Sequence, residues 1–532
     1  MNRLDRFWTV APSVHDRGVW IYDEADGVAT HQSYADLYEQ AGCMAAALQK
    51  NGVGRGDLVP LCATSSRHFP ALWLGMIWLG ATPVPLPPRH AMANAATYQN
   101  RLESIFPCFD RYICSRAESR HALPVMTASK ADCRVIFVED LVSAALESSD
   151  AVPERVCAHA DDIAFIQYTS GSTRSPKGIR VTYGNVFANI DAIISHLEIS
   201  PESDVLISWL PLYHDMGLIG KFLTSLMNQN SLVLMPPHAF VRRPLRFLEL
   251  IESHHATICS MPNFAYDLIN RRLEVAVAKP SLKSMKWFGV GAEPVRVDTL
   301  SRFEELASPL GLAAGVLSPC YGLAEATLAV SMERPGGGYR VVDVDGRRYV
   351  TCGHLLDGFD LKMDAPSREI KIRGPSVATT ALIDGEVRSI VDEDGFYGTK
   401  DTGVVIDGRL VIQGRLDEMF IINGENRFPY DIEALVRETV DEISRCVCVG
   451  IQDDSDIQRI VFLYERRDSL RLQDHDRKER IMATVLEHAG VQLDDVVALP
   501  LKVLPQTPSG KMQRVRAKEL YKGRGQEERS AV

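Results

Sequence analysis

Short β-branched runs alternate with segments of helical period through most of this chain, the signature of parallel α/β architecture. "DLVPLCA" (57–63) and "TPVPL" (82–86) predict strands, and "YADLYEQAGCMAAALQKNG" (34–52) predicts an amphipathic helix closed by Gly52. "GIRVTY" (178–183) predicts another strand. In "NVFANIDAIISHL" (185–197), Phe187, Ile190, Ile194 and Leu197 share one helical face. Near residue 400 the pattern turns to hairpins: "GVVIDGRLVIQGR" (403–415) is a strand, an Asp407-Gly408 turn suited to type I′, and a return strand. "DIEALVRETV", "ISRCVCVGI" and "RIVFLYE" follow as a helix and two strands of a small α+β unit. The boundary falls near Arg415–Asp417, so an α/β core over 1–415 precedes a C-terminal domain over 416–532, whose polar tail "KGRGQEERSAV" is expected to fray.

One apolar stretch, "FPALWLGMIWLGATPVPLPP" from Phe69, invites a membrane reading. Pro70, Pro83 and Pro85 interrupt it and Gly80 divides it, which predicts a buried helix followed by a buried strand and no membrane span. The N-terminus, "MNRLDRFWTVAP", has no apolar h-region, which argues against secretion. Of the 532 residues 46% are hydrophobic and 24% charged, which suits a globular protein with more than one core. The net charge of −11 argues against a nucleic-acid partner. Eleven cysteines lie scattered without C-x-x-C spacing, Cys446 and Cys448 being the one close pair; this predicts reduced thiols and a cytoplasmic location.

"YTSGSTRSPKG" (168–178) gathers five Ser/Thr hydroxyls, two glycines and two cations directly behind the apolar run "DIAFIQ". Such groups suit a cluster of anionic oxygens, most simply a phosphate chain, and equally a flexible surface turn. The loop does not follow the G-x-x-x-x-G-K-[ST] pattern: Pro176 stands five residues after Gly171, and Gly178 follows Lys177. Likewise "FGVGAEP" has Pro294 where a dinucleotide fingerprint has its third glycine. His214 and Asp215 in "LPLYHDMG" have neither a G-x-S-x-G elbow nor a second histidine at metal spacing to support a hydrolase or zinc site.

"YTSGSTRSPKG", "GAEP" (291–294), "YGLAEAT" (321–327), "KDTG" (400–403), "GRLDEMFIINGEN" (414–426) and "PQTPSGK" (505–511) occur in that order. Together they resemble the adenylate-forming superfamily of acyl- and aryl-CoA synthetases, amino-acid-activating domains and luciferases. "QYTSGSTR", "LPLYHDMGLIG", "MPNFAYDL", "GAEPVRVDTLSRF" and "YGLAEATL" resemble the fatty acyl-AMP ligase branch, as does Arg174, where the wider superfamily usually has Gly. The resemblance covers nearly the whole chain. It implies a large N-terminal domain of parallel-sheet and barrel-like subdomains with a small mobile C-terminal lid. It also implies a two-step reaction: a carboxylate attacks the α-phosphorus of MgATP, giving acyl-AMP and pyrophosphate, and a thiol then takes the acyl group.

The resemblance assigns roles residue by residue. Thr169, Ser170, Gly171, Ser172, Thr173 and Lys177 cradle the β- and γ-phosphates. Tyr321 and Gly322, with Gly291, Ala292 and Glu293, flank the adenine, and Glu325 is a catalytic carboxylate and Mg²⁺ ligand. Asp401 receives the ribose hydroxyls, Arg415 contacts ribose and phosphate as a catalytic residue, and Asp417 is the hinge. Lys511 bridges the attacking carboxylate and the α-phosphate. Trp209, His214, Met216, Phe264 and Tyr266 belong to the acyl pocket, although such aromatic residues equally make ordinary core. The sequence departs from the family at Thr399-Lys400-Asp401, where relatives usually carry T-G-D, and in "ERPGGGYRVVDVDGRR" (333–348), which is short for the insertion that marks acyl-AMP ligases. The expected acceptor is an acyl carrier protein. Transfer to free CoA is the alternative, with Arg514, Arg516 and Lys518 as cations available to either partner, and a non-catalytic nucleotide- or acyl-binding module is the reading from another class.

Overall fold

The computed structural model describes residues 16–22, 27–63, 67–89, 95–128, 133–147, 151–169, 176–277, 279–422, 425–440, 443–452, 458–466, 474–506 and 512–530 of the chain. Two compact units divide it. The larger comprises Met1–Lys362, Lys371–Gly398 and Val405–Val411; the smaller comprises Met363–Ile370, Thr399–Val404 and Ile412–Val532.

In the larger unit, six strands run parallel in the order Leu317–Gly322, Trp287–Gly291, Ile258–Pro262, Val205–Ser208, Ser231–Leu234 and Gly18–Ile21. Antiparallel strands flank them, Thr30–Ser33 at one side and Ala329–Met332 with His354–Leu355 at the other. Every residue of Ile258–Pro262 and Trp287–Gly291 is buried, as expected of parallel strands covered on both faces. A second, four-stranded parallel sheet holds Leu58–Cys62 and Thr82–Pro85. A third, antiparallel sheet contains the hairpin Ile163–Thr169/Lys177–Thr182.

Local chemistry accounts for the element boundaries. Helix Tyr34–Lys50 starts on a reciprocal capping box between Ser33 and Asp36, and Gly52 at φ 81° closes it. Helix Tyr183–Leu197 begins two residues earlier than its apolar period predicts, because Thr182 and Asn185 cap each other reciprocally. The apolar stretch from Phe69 forms helix Phe69–Trp78 and strand Thr82–Pro85, as the sequence predicts. Phe69–Ile77 are buried without exception; Gly75 lets the helix approach Ala41 and Ala45, where an added Cβ would lie 3.1–3.2 Å from their backbone atoms. Among the described residues no helix is long and apolar enough to cross a membrane. The Asp407-Gly408 turn has φ of 50° and 74°, both left-handed as type I′ requires.

The smaller unit is built on strands Ile443–Gln452, Gln458–Arg466 and Asp495–Leu499, the first pair antiparallel and the second parallel. Strand alternation sends Cys446, Cys448, Phe462 and Tyr464 into a core with Ile432, Val436, Ile481 and Val485. Val447, Val449, Val461 and Leu463 face a second core with Leu499, Leu504 and Ala517. Cys446 and Cys448 are thus same-face core residues, and all eleven cysteines are free thiols. The C-terminal segment is helical over Arg514–Ser530, where the polar composition predicts an irregular tail, and its first turn is anchored by buried charge.

That anchor is Arg514, 6% exposed. Its guanidinium donates to Glu418 Oε2 at 2.9 Å, to both carboxylate oxygens of Glu433, and to Cys448 O at 3.1 Å, and it stacks 4.3 Å over the Tyr430 ring. Glu433, 3% exposed, also accepts the Cys448 N–H at 2.7 Å. Arg514 therefore offers no charge to an outside partner, while Arg516 and Lys518 are half-buried and burial lowers the pKa of each. Arg514→Ala leaves buried Glu433 with only the longer Arg437 contact, 3.7 Å, as counter-charge, and is expected to destabilise the smaller unit by about 3 kcal/mol. Denaturant titration of the whole chain checks this; Arg514→Met combined with Glu433→Leu should lose less.

Candidate active site

The candidate residues of the larger unit follow the carboxyl ends of its parallel strands. Trp209 and His214 come after Val205–Ser208, Phe264 and Tyr266 after Ile258–Pro262, Ala292 and Glu293 after Trp287–Gly291, and Glu325 after Leu317–Gly322. The register pairs Pro262 with Gly291 and Val290 with Pro319, so these ends lie along one edge.

Ser170, Gly171, Ser172 and Thr173 lie outside the described residues. The stem of their loop is described: Thr169 pairs with Lys177 and Tyr168 with Gly178 in antiparallel register. At Gly178 an added Cβ would meet Ile166 at 2.8 Å and Tyr168 at 3.1 Å, so the stem packs too closely for a side chain. From the adjoining strand face, Gln167 donates to Tyr213 O at 3.0 Å, next to His214.

His214 Nδ1 lies 2.6 Å from Asp215 Oδ1. Burial acts to raise the Asp215 pKa, but the His214 charge and hydrogen bond and the Met216 N–H, 2.7 Å away, hold it below the usual carboxylate range. Trp209 stacks on Phe240 at 4.1 Å with rings 2° from parallel, and meets Phe264 edge-on at 5.8 Å. Met216 packs in the same cluster. Tyr266 is fully buried, its hydroxyl donating to Gly289 O at 2.9 Å and its ring against Phe288 and Phe303. Glu293 reaches back across the edge to accept the Phe264 N–H at 2.5 Å, at the start of helix Asn263–Leu273, which lacks a side-chain cap of its own.

Tyr321 and Gly322 end their strand at a bulge, and a Cβ at Gly322 would stand 1.9 Å from Leu328 O. Glu325 sits on the short turn Ala324–Ala326, held by Ala378 N–H to its carbonyl at 2.8 Å. Its carboxylate accepts the Tyr397 hydroxyl at 2.8 Å. In the smaller unit, Asp401 is 8% exposed and lies 3.3 Å from Arg415 Nη1, while Arg415 Nε donates to Asp417 at 3.1 Å. Burial works against the Arg415 charge, but Asp401 and Asp417 outweigh it and raise its pKa. Lys511 lies outside the described residues; Gln506 and Met512 bridge at the base of its loop.

Three non-glycine residues near these groups are left-handed: Ala292 at φ 65°, Thr327 at 68° and Lys400 at 62°. Such conformations cost roughly 1–3 kcal/mol each and concentrate at functional sites. The value at Lys400 gives a physical reason for glycine in the relatives' T-G-D. The lysine side chain is exposed, and Asp401 is paired with Arg415. The short segment after Glu333 is an ordered hairpin, Val341–Val344 with Arg347–Val350, turned through Asp345 and Gly346 at φ 54° and 77°. Tyr397 and Gln167 went unnoticed in the sequence. Tyr397 lies 72 residues from Glu325, and nothing local marks the contact.

The AMP-binding enzyme family matches residues 7–380, and the Disco-interacting protein 2-like AMP domain matches residues 417–529. A 4-hydroxyphenylalkanoate adenylyltransferase of Mycobacterium tuberculosis is 29% identical over 521 residues, 88% of this chain and 82% of that protein. A long-chain-fatty-acid–AMP ligase of Mycobacterium marinum, FadD26, is 28% identical over 559 residues, 95% of this chain and 94% of that one. A solved structure from a study of fatty acyl-adenylate ligases of E. coli and L. pneumophila has TM-score 0.86 and 26% identity, covering 99% of this chain and 98% of that one. The architecture is that of adenylation domains. The chain belongs to the AMP-binding enzyme family, and it is an adenylate-forming ligase that uses ATP.

The lowered Asp215 pKa has a pH signature. A carboxyl depressed by folding contributes stability that is complete above its unfolded value, near 3.9, and is lost as pH falls through the folded value. Below about pH 4 the wild type is expected to lose Tm more steeply than Asp215→Asn, which has no titrating group there. Thermal melts between pH 3 and 6 measure the difference.

Proposed function

We propose that this ligase activates a fatty acid and passes it to the phosphopantetheine thiol of an acyl carrier protein. The acid's carboxylate oxygen bonds to the α-phosphorus of ATP while the bond from that phosphorus to the bridging oxygen breaks, releasing pyrophosphate. The carrier thiol, losing its proton, then bonds to the acyl carbon and AMP leaves. Charge builds on phosphate oxygens in the first step, so positioning and electrostatic stabilisation carry the catalysis.

The observation that carries this reading is Glu325, presented beyond a parallel strand and oriented by Tyr397. One hydroxyl leaves acceptor capacity on a carboxylate. Among the described residues no cluster of three or more His, Cys, Asp or Glu side chains forms a metal cage. A single carboxylate with acceptor capacity left suits Mg²⁺, commonly held by one or two carboxylates together with substrate phosphates. Glu325 would hold the ion, whose charge offsets that of the phosphates.

The other roles follow the chemistry of the groups. Thr169–Lys177 binds the β- and γ-phosphates, and Tyr321 lies on the adenine between Gly322 and Gly291–Glu293. Asp401 takes the ribose hydroxyls, and Arg415, already bonded to Asp401 and Asp417, orients it. Lys511 meets the attacking carboxylate, and residues 416–532 rotate as a lid about Asp417. His214, Trp209, Met216 and Phe264 bound the acyl group, with Tyr266 supporting them from the core.

A second reading, transfer to CoA, is favoured by the shortness of the 333–348 segment. Arg514, committed to Glu433, is available neither to CoA phosphates nor to an acidic carrier helix, so it does not separate the two acceptors.

ATP-dependent pyrophosphate release should require a carboxylic acid. Lys511→Ala should slow it about 10²–10³-fold while sparing thiolysis of supplied acyl-AMP; pyrophosphate release within a few-fold of wild type would remove Lys511 from the mechanism. Offered purified acyl-AMP with CoA and a holo carrier protein together, the enzyme should acylate the carrier faster. Faster acyl-CoA formation across several carriers would reverse the choice of acceptor.

A further inference from the structure

Lys221 is a lysine in the core of the larger unit, 2% exposed. It lies in the π-helical segment Leu218–Leu223, a geometry frequent at functional sites. Burial pushes its pKa down to about 8, so it remains largely cationic at neutral pH. Among the described residues its Nζ makes no hydrogen bond and no ion pair. Its polar surroundings are the thiols of Cys259 and Cys320, each pushed up to about 12 by burial and therefore neutral, and the face of Trp287, 5.8 Å away. A buried ammonium without a hydrogen-bond acceptor is costly, and the indole face offsets that cost only in part.

The position of that charge supplies the reason to keep it. Cys320 immediately precedes Tyr321 and donates its S–H to Val290 O at 3.5 Å; a Cβ at Gly291 would lie 2.9 Å from its sulfur. Cys259 lies two strands away, in Ile258–Pro262, ahead of Phe264. Lys221 follows His214 by seven residues on the same helical segment, roughly 10 Å at helical rise. Its ammonium thus lies in the layer between that segment and the parallel sheet, beside the Trp287 ring and the Cys320 thiol.

We propose that Lys221 is the counter-charge for a second carboxylate at the far end of the acid substrate, making this enzyme selective for dicarboxylic acids over plain fatty acids of equal length. The inference rests on the acid-activation reading above. One carboxylate is activated at the nucleotide, and the other pairs with Lys221, supplying the acceptor the buried cation lacks.

Pyrophosphate release is measured for α,ω-dicarboxylic acids from succinate to dodecanedioate and for the matching monocarboxylic acids. At one chain length the wild type should prefer the dicarboxylate by at least about 10-fold in kcat/KM. Lys221→Met, nearly isosteric and apolar, should raise the dicarboxylate KM about 10- to 100-fold and turn the preference toward the monocarboxylic acid. Equal or better use of monocarboxylic acids by the wild type at every length overturns the proposal, as does an unchanged preference in a folded Lys221→Met. The wild-type preference stands as a test even where the variant fails to fold. If no acid releases pyrophosphate, the activation reading fails. Calorimetric binding of the same acids to the wild type then decides for Lys221: tighter dicarboxylate binding supports the assignment, and equal or weaker binding overturns it.

Discussion

Parallel pairing of Val205–Ser208, Ile258–Pro262, Trp287–Gly291 and Leu317–Gly322 is the constraint on which the candidate site of the larger unit depends. Parallel strands all end in the same direction, so the segments that follow them emerge along one edge. Residues more than a hundred positions apart in the chain, from Trp209 to Glu325, gather there without any local signal joining them. The register between Pro262 and Gly291 then brings the Glu293 carboxylate to the amide of Phe264, and one side chain both terminates a helix and ties two site segments together.

Buried charge has two uses in this protein. In the smaller unit Arg514 and Glu433 satisfy each other, with Glu418, Tyr430 and Cys448 O completing the network, which holds the segment just past the Lys511 loop. Desolvation is balanced by several charge-assisted bonds, so the network is structural. Lys221 in the larger unit has thiols and an indole face where Arg514 has carboxylates. The contrast is between a buried cation satisfied by carboxylates and one whose counter-charge, on the proposal above, is a substrate carboxylate.

The two lysine-bearing loops share a design. Each is polar and closed at its stem by backbone pairing, Thr169 with Lys177 in one case and Gln506 with Met512 in the other. Such stems fix where each polar loop begins and ends.

The sequence by itself determined the elements and the inventory of chemistry. Apolar period gave the helices, β-branched runs the strands and Asp407-Gly408 the turn, because each depends on neighbours within a few residues. Motif order pointed to the superfamily. Tertiary structure alone decided which polar side chains are spent on the protein. Arg514 reads as a free surface cation until Glu433, 81 positions away, is seen to bury it. Glu325 has no visible partner until Tyr397 is brought 72 positions to its side. Lys221 reads as one more cation on a helix until its neighbours prove to be neutral thiols and an aromatic face. The physical reason is common to all three: the state of a charge depends on its solvation and its counter-charge, and both come from distant segments that only the packed fold brings together.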